Sequence, residues 1–168
     1  CFGPAWIFSD SVRSRFGLGM YNFNGIPIPR FLGGAHYTWQ ILCGDRTGGC
    51  VLQRITEEVD RGDILRAEYF NLPEDVRVPL DYFRANLAKG REFIDRLAAD
   101  MTGGITFEPT PFSSVDGGRL YFPRLMTREN AFIDWSWGVR DIERFCCAFD
   151  DPYPGAGTFL NGEEIRLS

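Results

Sequence analysis

The sequence is poor in histidine: among 168 residues there is one, His36. A zinc site normally gathers several histidine and cysteine ligands at close spacing. The five cysteines, Cys1, Cys43, Cys50, Cys146 and Cys147, contain no C-x-x-C pair, so no metal site is expected. Their odd number also argues against a closed disulfide framework. Free cysteines packed as small hydrophobes suit a reducing, cytoplasmic setting. Basic runs are missing too. Eighteen Lys and Arg against 23 Asp and Glu give a net charge of −5, and a duplex phosphate backbone is not an expected partner. No apolar run approaches the roughly 20 residues that span a bilayer, so no membrane segment is expected. Neither an internal repeat nor a low-complexity stretch is present.

What is there is enough for a packed core. Hydrophobic residues make up 44% of the chain, and the length suits one domain. Ser9 is placed to cap a short helix over residues 10–16, with Asp10 in its first turn and Gly17 and Gly19 after it. Residues 20–24 read as a β-run. Residues 25–34, with Pro27 and Pro29 and glycine at both ends, read as an extended loop. Residues 35–43 carry Tyr37, Ile41 and Leu42 near helical spacing, and residues 50–55 read as a second strand closed by a turn at 60–63. Two parallel strands joined by that helix would bring Asn22 and Asp60 to one end of a sheet, where ligands of open α/β sheets bind.

Further along, residues 65–72 are rich in strand formers. Pro79 opens a long helix that ends at Gly103-Gly104. Its apolar stripe, Leu80, Phe83, Leu87, Ile94 and Leu97, is expected to pack in the core. Residues 109–118 are turn-rich, and residues 121–123 are ambiguous. The composition changes after Thr127. Asp134-Trp135-Ser136-Trp137 precedes a helix over 139–149, on which Ile142, Phe145, Cys146 and Phe149 share a face. Asn161-Gly162, flanked by apolar residues, is a two-residue hairpin signal.

Residues 20–65 resemble the formyltransferase family that uses 10-formyltetrahydrofolate. Asn22 matches that family's asparagine, Pro29 its proline, Gly33 its loop glycine and Asp60-Arg61-Gly62 its Asp-x-Gly. Gly44-Asp45, Thr47-Gly48 and Asp63-Ile64-Leu65 fit as well. The likeness extends upstream through Phe2-Gly3-Pro4-Ala5-Trp6-Ile7 and downstream to Asp134-Trp135 and Pro152-Tyr153-Pro154-Gly155-Ala156. The resemblance implies an α/β fold, a partial Rossmann-like open sheet with helices on both faces, followed by a short C-terminal helix and hairpin. It divides the chain into residues 1–126, the later half of a catalytic domain, and 127–168, the start of a C-terminal subdomain. Roughly three strands would precede Phe2. An unpaired apolar sheet edge over residues 1–8 would then invite self-association.

The same resemblance implies the chemistry. Asn22 would hold the formyl oxygen of 10-formyltetrahydrofolate, with Asp60 orienting an acid–base group. Phe2, Gly3, Trp6 and Asp60 would border the folate. Pro29, Gly33 and His36 would border a small-molecule amine, such as an amino sugar. Where the family has its catalytic histidine this chain has Asn24, which hydrogen-bonds but exchanges no proton at neutral pH. Asp60 acting through a water, or His36, could take over. Asn22 and Asp60 read alone would pass for a turn residue and a loop carboxylate, and Trp6 and Trp39 either for core aromatics or for cleft walls. Asn24 also leaves open a homologue that binds folate or a sugar nucleotide without turnover, or an inactive structural fragment.

Overall fold

A computed structural model describes residues 1–3, 6–115 and 120–168. Pro4 and Ala5 of the upstream match, and residues 116–118 of the turn-rich stretch, lie outside the described residues. The chain forms two compact units. The first comprises Cys1–Leu32, Gly48–Phe70 and Asn86–Leu120, and the second Gly33–Thr47, Asn71–Ala85 and Tyr121–Ser168. Among the described residues no helix is long and apolar enough to cross a membrane.

In the first unit, a short helix α1 (Asp10–Arg13) is followed by strand β1 (Tyr21–Asn24). The helix is shorter than its sequence suggested, and Ser9 does not cap it; the Ser9 hydroxyl pairs with that of Ser11 at 2.9 Å. β1 joins β3 (Thr47–Arg54) and β4 (Ile64–Asn71) in a sheet of order β1-β3-β4. The expected parallel βαβ unit is not what forms. β1 and β3 are antiparallel, with Asn22 opposite Gln53 and Phe23 opposite Leu52. A parallel crossover needs its helix laid on the sheet to return the chain to the starting end. The intervening helix, α2 (His36–Cys43), instead belongs to the second unit and packs on α5 (Val139–Ala148). A parallel neighbour of β1 exists upstream, where Phe2 bridges Phe23 and the Phe23 N–H donates to the Cys1 carbonyl at 2.9 Å.

Residues 25–34 are not all loop, since β2 (Phe31–Gly33) pairs with β5 (Leu120–Phe122). Helix α3 (Pro79–Thr102) has the bounds its Pro and Gly punctuation predicts. Its buried face agrees only in part, Ile94 and Leu97 packing in the core as expected. Phe83 is 48% exposed and Leu87 58%, whereas Tyr82, Asn86, Gly90, Phe93 and Leu97 are buried. That stripe also runs at helical spacing, but an amide and a glycine disguise it. Gly90 is there because a Cβ would come within 2.8 Å of Phe23 Cζ. Asn86 is there because its Oδ1 accepts the buried Gly49 N–H at 3.0 Å. The core under the sheet is Cys50, Phe93 and Leu97, with Phe23, Leu52, Phe70, Ile94 and Phe107 around them. A short 3-10 turn, Phe112–Ser114, interrupts the stretch expected as loop.

In the second unit, α4 (Thr127–Asn130) leads to residues 131–133, which lie beside β6 (Ala156–Leu160) through a Phe132–Gly157 bridge. The buried face of α5 presents Phe145 and Ala148, and Phe149 follows directly, its ring 4.9 Å from that of Phe145. β6 and β7 (Glu163–Leu167) form the hairpin, with Asn161 and Gly162 at φ 53° and 85° in its turn. Both central positions need the left-handed region, which Asn and Gly tolerate best.

Candidate functional site

Along β1 the side chains alternate, Phe23 toward the core and Asn22 and Asn24 away from it, as a period of two requires. The two asparagines are joined, Asn22 Nδ2 donating to Asn24 Oδ1 at 2.9 Å. Asn22 Oδ1 accepts the Gly3 N–H at 3.0 Å. An Asn amide nitrogen carries two protons, so one N–H of Asn22 lies beyond the Asn24 bond. The Asn24 Nδ2 atom is itself buried and has no acceptor among the described residues.

Across the register from Asn22 is Gln53, 2% exposed. Its Nε2 donates to the Asp60 carbonyl at 2.9 Å and the Gly62 carbonyl at 2.8 Å. One buried carboxamide thus holds both ends of the Asp60-Arg61-Gly62 turn. Asp60 has φ 57°, a left-handed conformation that Asp tolerates better than most residues. At Gly62 a Cβ would overlap the Arg54 carbonyl oxygen. The glycine is therefore required by the close return of the chain after β3.

Asn22, Gln53 and Asp60 border one cleft of about 80 Å³, with Trp6, Ile7 and Val59 among its apolar walls. Because β1 and β3 are antiparallel, the cleft lies where β1 begins and β3 ends, not at two carboxyl ends. Gln53 is the residue that sequence reasoning missed. A lone polar residue in a strand carries no signal of its own, and its only cue was alternation, since Val51 and Gln53 are buried two residues apart.

The other predicted site residues are distributed more widely. Phe2 packs its ring 5.8 Å from that of Phe23 and is 74% exposed. Pro29 is buried in the run 26–29, where the Tyr69 hydroxyl donates to the Ile28 carbonyl at 2.6 Å. Gly33 and His36 belong to the second unit. At Gly33, φ 101°, a Cβ would overlap the Phe122 carbonyl. His36 opens α2 after Ala35, which has φ 53°. Trp39 packs on Phe122 at 5.0 Å, and its Nε1 donates to the Pro123 carbonyl at 2.8 Å. Among the described residues no group of three or more His, Cys, Asp or Glu could hold a metal ion.

Residues 125–168 match the family described as formyl transferase, C-terminal domain. The chain is 30% identical over 164 residues to the methionyl-tRNA formyltransferase of Methylibium petroleiphilum, an alignment covering 98% of this chain and 49% of that protein. It thus spans about half the length of the curated relative. Among solved structures, a 4-N formyltransferase from Francisella tularensis superposes with a TM-score of 0.77 at 16% identity, covering 99% of this chain and 68% of that one. The N-formyltransferase of Helicobacter canadensis, in complex with folinic acid and dTDP-3-aminofucose, superposes with a TM-score of 0.63 at 17% identity, covering 77% of this chain and 47% of that one. The two structural likenesses speak for the fold alone; the sequence matches show a likeness to the formyltransferase family along nearly the whole chain, with residues 125–168 matching its C-terminal domain.

Proposed function

We propose that the chain carries the reacting-end groups for transfer of a formyl group from 10-formyltetrahydrofolate to an amine, with an amino sugar as acceptor. The observation that carries this reading is the cleft shared by Asn22 and Asp60, with Gln53 between them fixing the turn that bears Asp60. The net charge of −5 supports a small acceptor over a polyanionic one.

The residues suit the donor's reactive end. A cleft of about 80 Å³ is well below the roughly 300–1,000 Å³ that encloses a whole drug-sized ligand. It admits the formyl-bearing part of a folate against Trp6 and Ile7 and leaves the remainder outside. The bound folate supplies an activated formyl carbon. The amine nitrogen attacks that carbon, negative charge gathers on the formyl oxygen, and the bond to the folate nitrogen breaks. The N–H of Asn22 not given to Asn24 is the donor for that oxygen. A donor so placed is worth about 10²–10³ in rate. The amine proton must reach the departing folate nitrogen. Asp60 relays it through a water, because Asn24 cannot carry it.

Titration with folinic acid, a formyl-bearing folate, tests the reading. Saturable quenching of indole fluorescence is expected, much reduced in Trp6→Phe, with affinity weakened in Asn22→Ala. Absence of saturable binding by fluorescence and by calorimetry would overturn the folate reading. Release of tetrahydrofolate from 10-formyltetrahydrofolate, measured with a dTDP-linked amino sugar and separately with methionyl-tRNA, assigns the acceptor. Release with methionyl-tRNA alone would replace the amino sugar and leave formyl transfer standing.

A further inference from the structure

The second unit contains a larger cleft, of about 390 Å³, which the formyl-transfer chemistry does not use. Four arginines line it, Arg46, Arg77, Arg140 and Arg144, against one carboxylate, Glu143, and one thiol, Cys147. In a chain of net charge −5 this is a local reversal of sign. The sequence hides it, because the arginines come from three separate segments.

The arrangement follows from helix geometry. Arg140, Glu143, Arg144 and Cys147 recur at three, four and seven residues along α5 and so share one stripe. Phe145 and Ala148 occupy the buried face of that helix. Arg46 is fixed from the other side, its Nη2 donating to the Pro73 carbonyl and, at 3.1 Å, to the Val76 carbonyl. Arg77 pairs with Glu143 and donates to Cys147 Sγ at 3.6 Å. Arg144 lies 3.8 Å from Asp141, a loose pair. Arg140 stands in the first turn of α5, where a cation opposes the helix dipole. Its charge is therefore not explained by helix stability.

One reading of such a cluster is that it serves the fold alone, neutralising Glu143 and the carboxyl end of α2 near Gly44, whose Cβ position lies 3.9 Å from Arg144 Cζ. The charges do not balance on that reading. Four guanidinium groups meet one carboxylate within the cleft, Glu143, and one beside it, Asp141, and the carboxyl end of a helix amounts to about half a charge, so positive charge remains in excess. Guanidinium forks match the oxygens of phosphate two at a time. The cleft volume falls within the range of small-ligand sites.

We propose that this cleft binds the phosphate or pyrophosphate group of a small molecule, held by Arg77, Arg140 and Arg144, with Arg46 as a fixed positive wall. Glu143 occupies Arg77 in the absence of ligand and is the group an incoming phosphate displaces. The inference is independent of the folate cleft, which draws on other residues.

Calorimetric titration with inorganic pyrophosphate at low ionic strength tests it. One saturable site is expected. The double variant Arg140→Gln, Arg144→Gln should weaken binding by about 10-fold or more, as loss of charge-assisted contacts predicts. Arg128→Gln, on α4 and outside the cleft, should leave it unchanged. Glu143→Gln should tighten binding, because the competing carboxylate is gone; a misfolded variant cannot give that sign. No saturable binding, or equal binding by the wild type and the double variant, would overturn the proposal. So would binding of a single-stranded oligonucleotide by a protein that ignores pyrophosphate, since the ligand would then not be a small molecule.

Discussion

Asn22 and Gln53 stand opposite one another in the β1–β3 register, and the buried Gln53 carboxamide donates to the carbonyls of both Asp60 and Gly62. The position of the Asp60 turn relative to Asn22 is therefore fixed by one side chain on the neighbouring strand. The two candidate catalytic residues never need to touch for their spacing to be held.

Replacing Gln53→Leu keeps approximate volume and removes both hydrogen bonds. Each is worth about 0.5–1.5 kcal/mol, and the orphaned carbonyls add to the loss, so a destabilisation of about 1–3 kcal/mol is expected in urea unfolding. Folinic acid affinity should fall with it, because the Asp60 turn loses its anchor. Unchanged stability and affinity would show that the turn holds itself.

Asn24→His restores an imidazole two residues from Asn22, on the same face of β1. Formyl transfer should rise by about 10²–10⁴, the usual worth of a positioned acid–base group. Asp60→Asn in that background should remove most of the gain. The readout is tetrahydrofolate release. An equal rate in the wild type and Asn24→His would assign the proton transfer to the water-relayed Asp60.

Gly49→Ala tests the packing of β3. A Cβ there would meet Pro27 Cα at 2.5 Å, which is backbone and cannot rotate away. Overpacking of this kind costs about 1–3 kcal/mol. Gly17→Ala, where nothing lies within 4 Å, is the control and should change the urea midpoint little.

Stability should decline in alkali, and Cys50 is a main cause. Burial, more than the nearby Glu68 carboxylate, pushes its thiol from the ordinary 9.0 up to about 11. The folded chain then holds that proton more tightly than the unfolded chain does. The associated stability is complete below about pH 9 and is lost as pH rises toward 11. Burial likewise raises Cys43 and Cys146, so Cys50→Ala should flatten the decline without abolishing it. Denaturant midpoints measured from pH 8 to 11 give the slopes to compare. At pH 8, Cys50 should also be the slowest of the five thiols to react with an alkylating reagent, and the exposed Cys1 faster.

Elements whose signals are local were legible in the sequence. Asn161-Gly162 determined the β6–β7 turn, because few other residues accept left-handed geometry at both central positions. Pro79 and Gly103 bounded α3, since one starts a helix without needing its missing donor and the other readily ends one. Asn22 and Asp60 were marked out as candidates by their spacing within a family pattern, and both border one cleft. Tertiary structure decided the rest. Strand pairing was decided at long range, β1 lying antiparallel to β3, and α2 found its packing partner in α5, about a hundred residues later in the chain. The buried face of α3 was decided by what meets it. Phe23 needs the space at Gly90, and Gly49 needs the carbonyl of Asn86, so a glycine and an amide lie inside while Phe83 and Leu87 face out. Gln53 became the keystone of the cleft for the same reason. A polar side chain is worth burying only where its hydrogen bonds are met, and which carbonyls will meet them is known only once the chain has folded back.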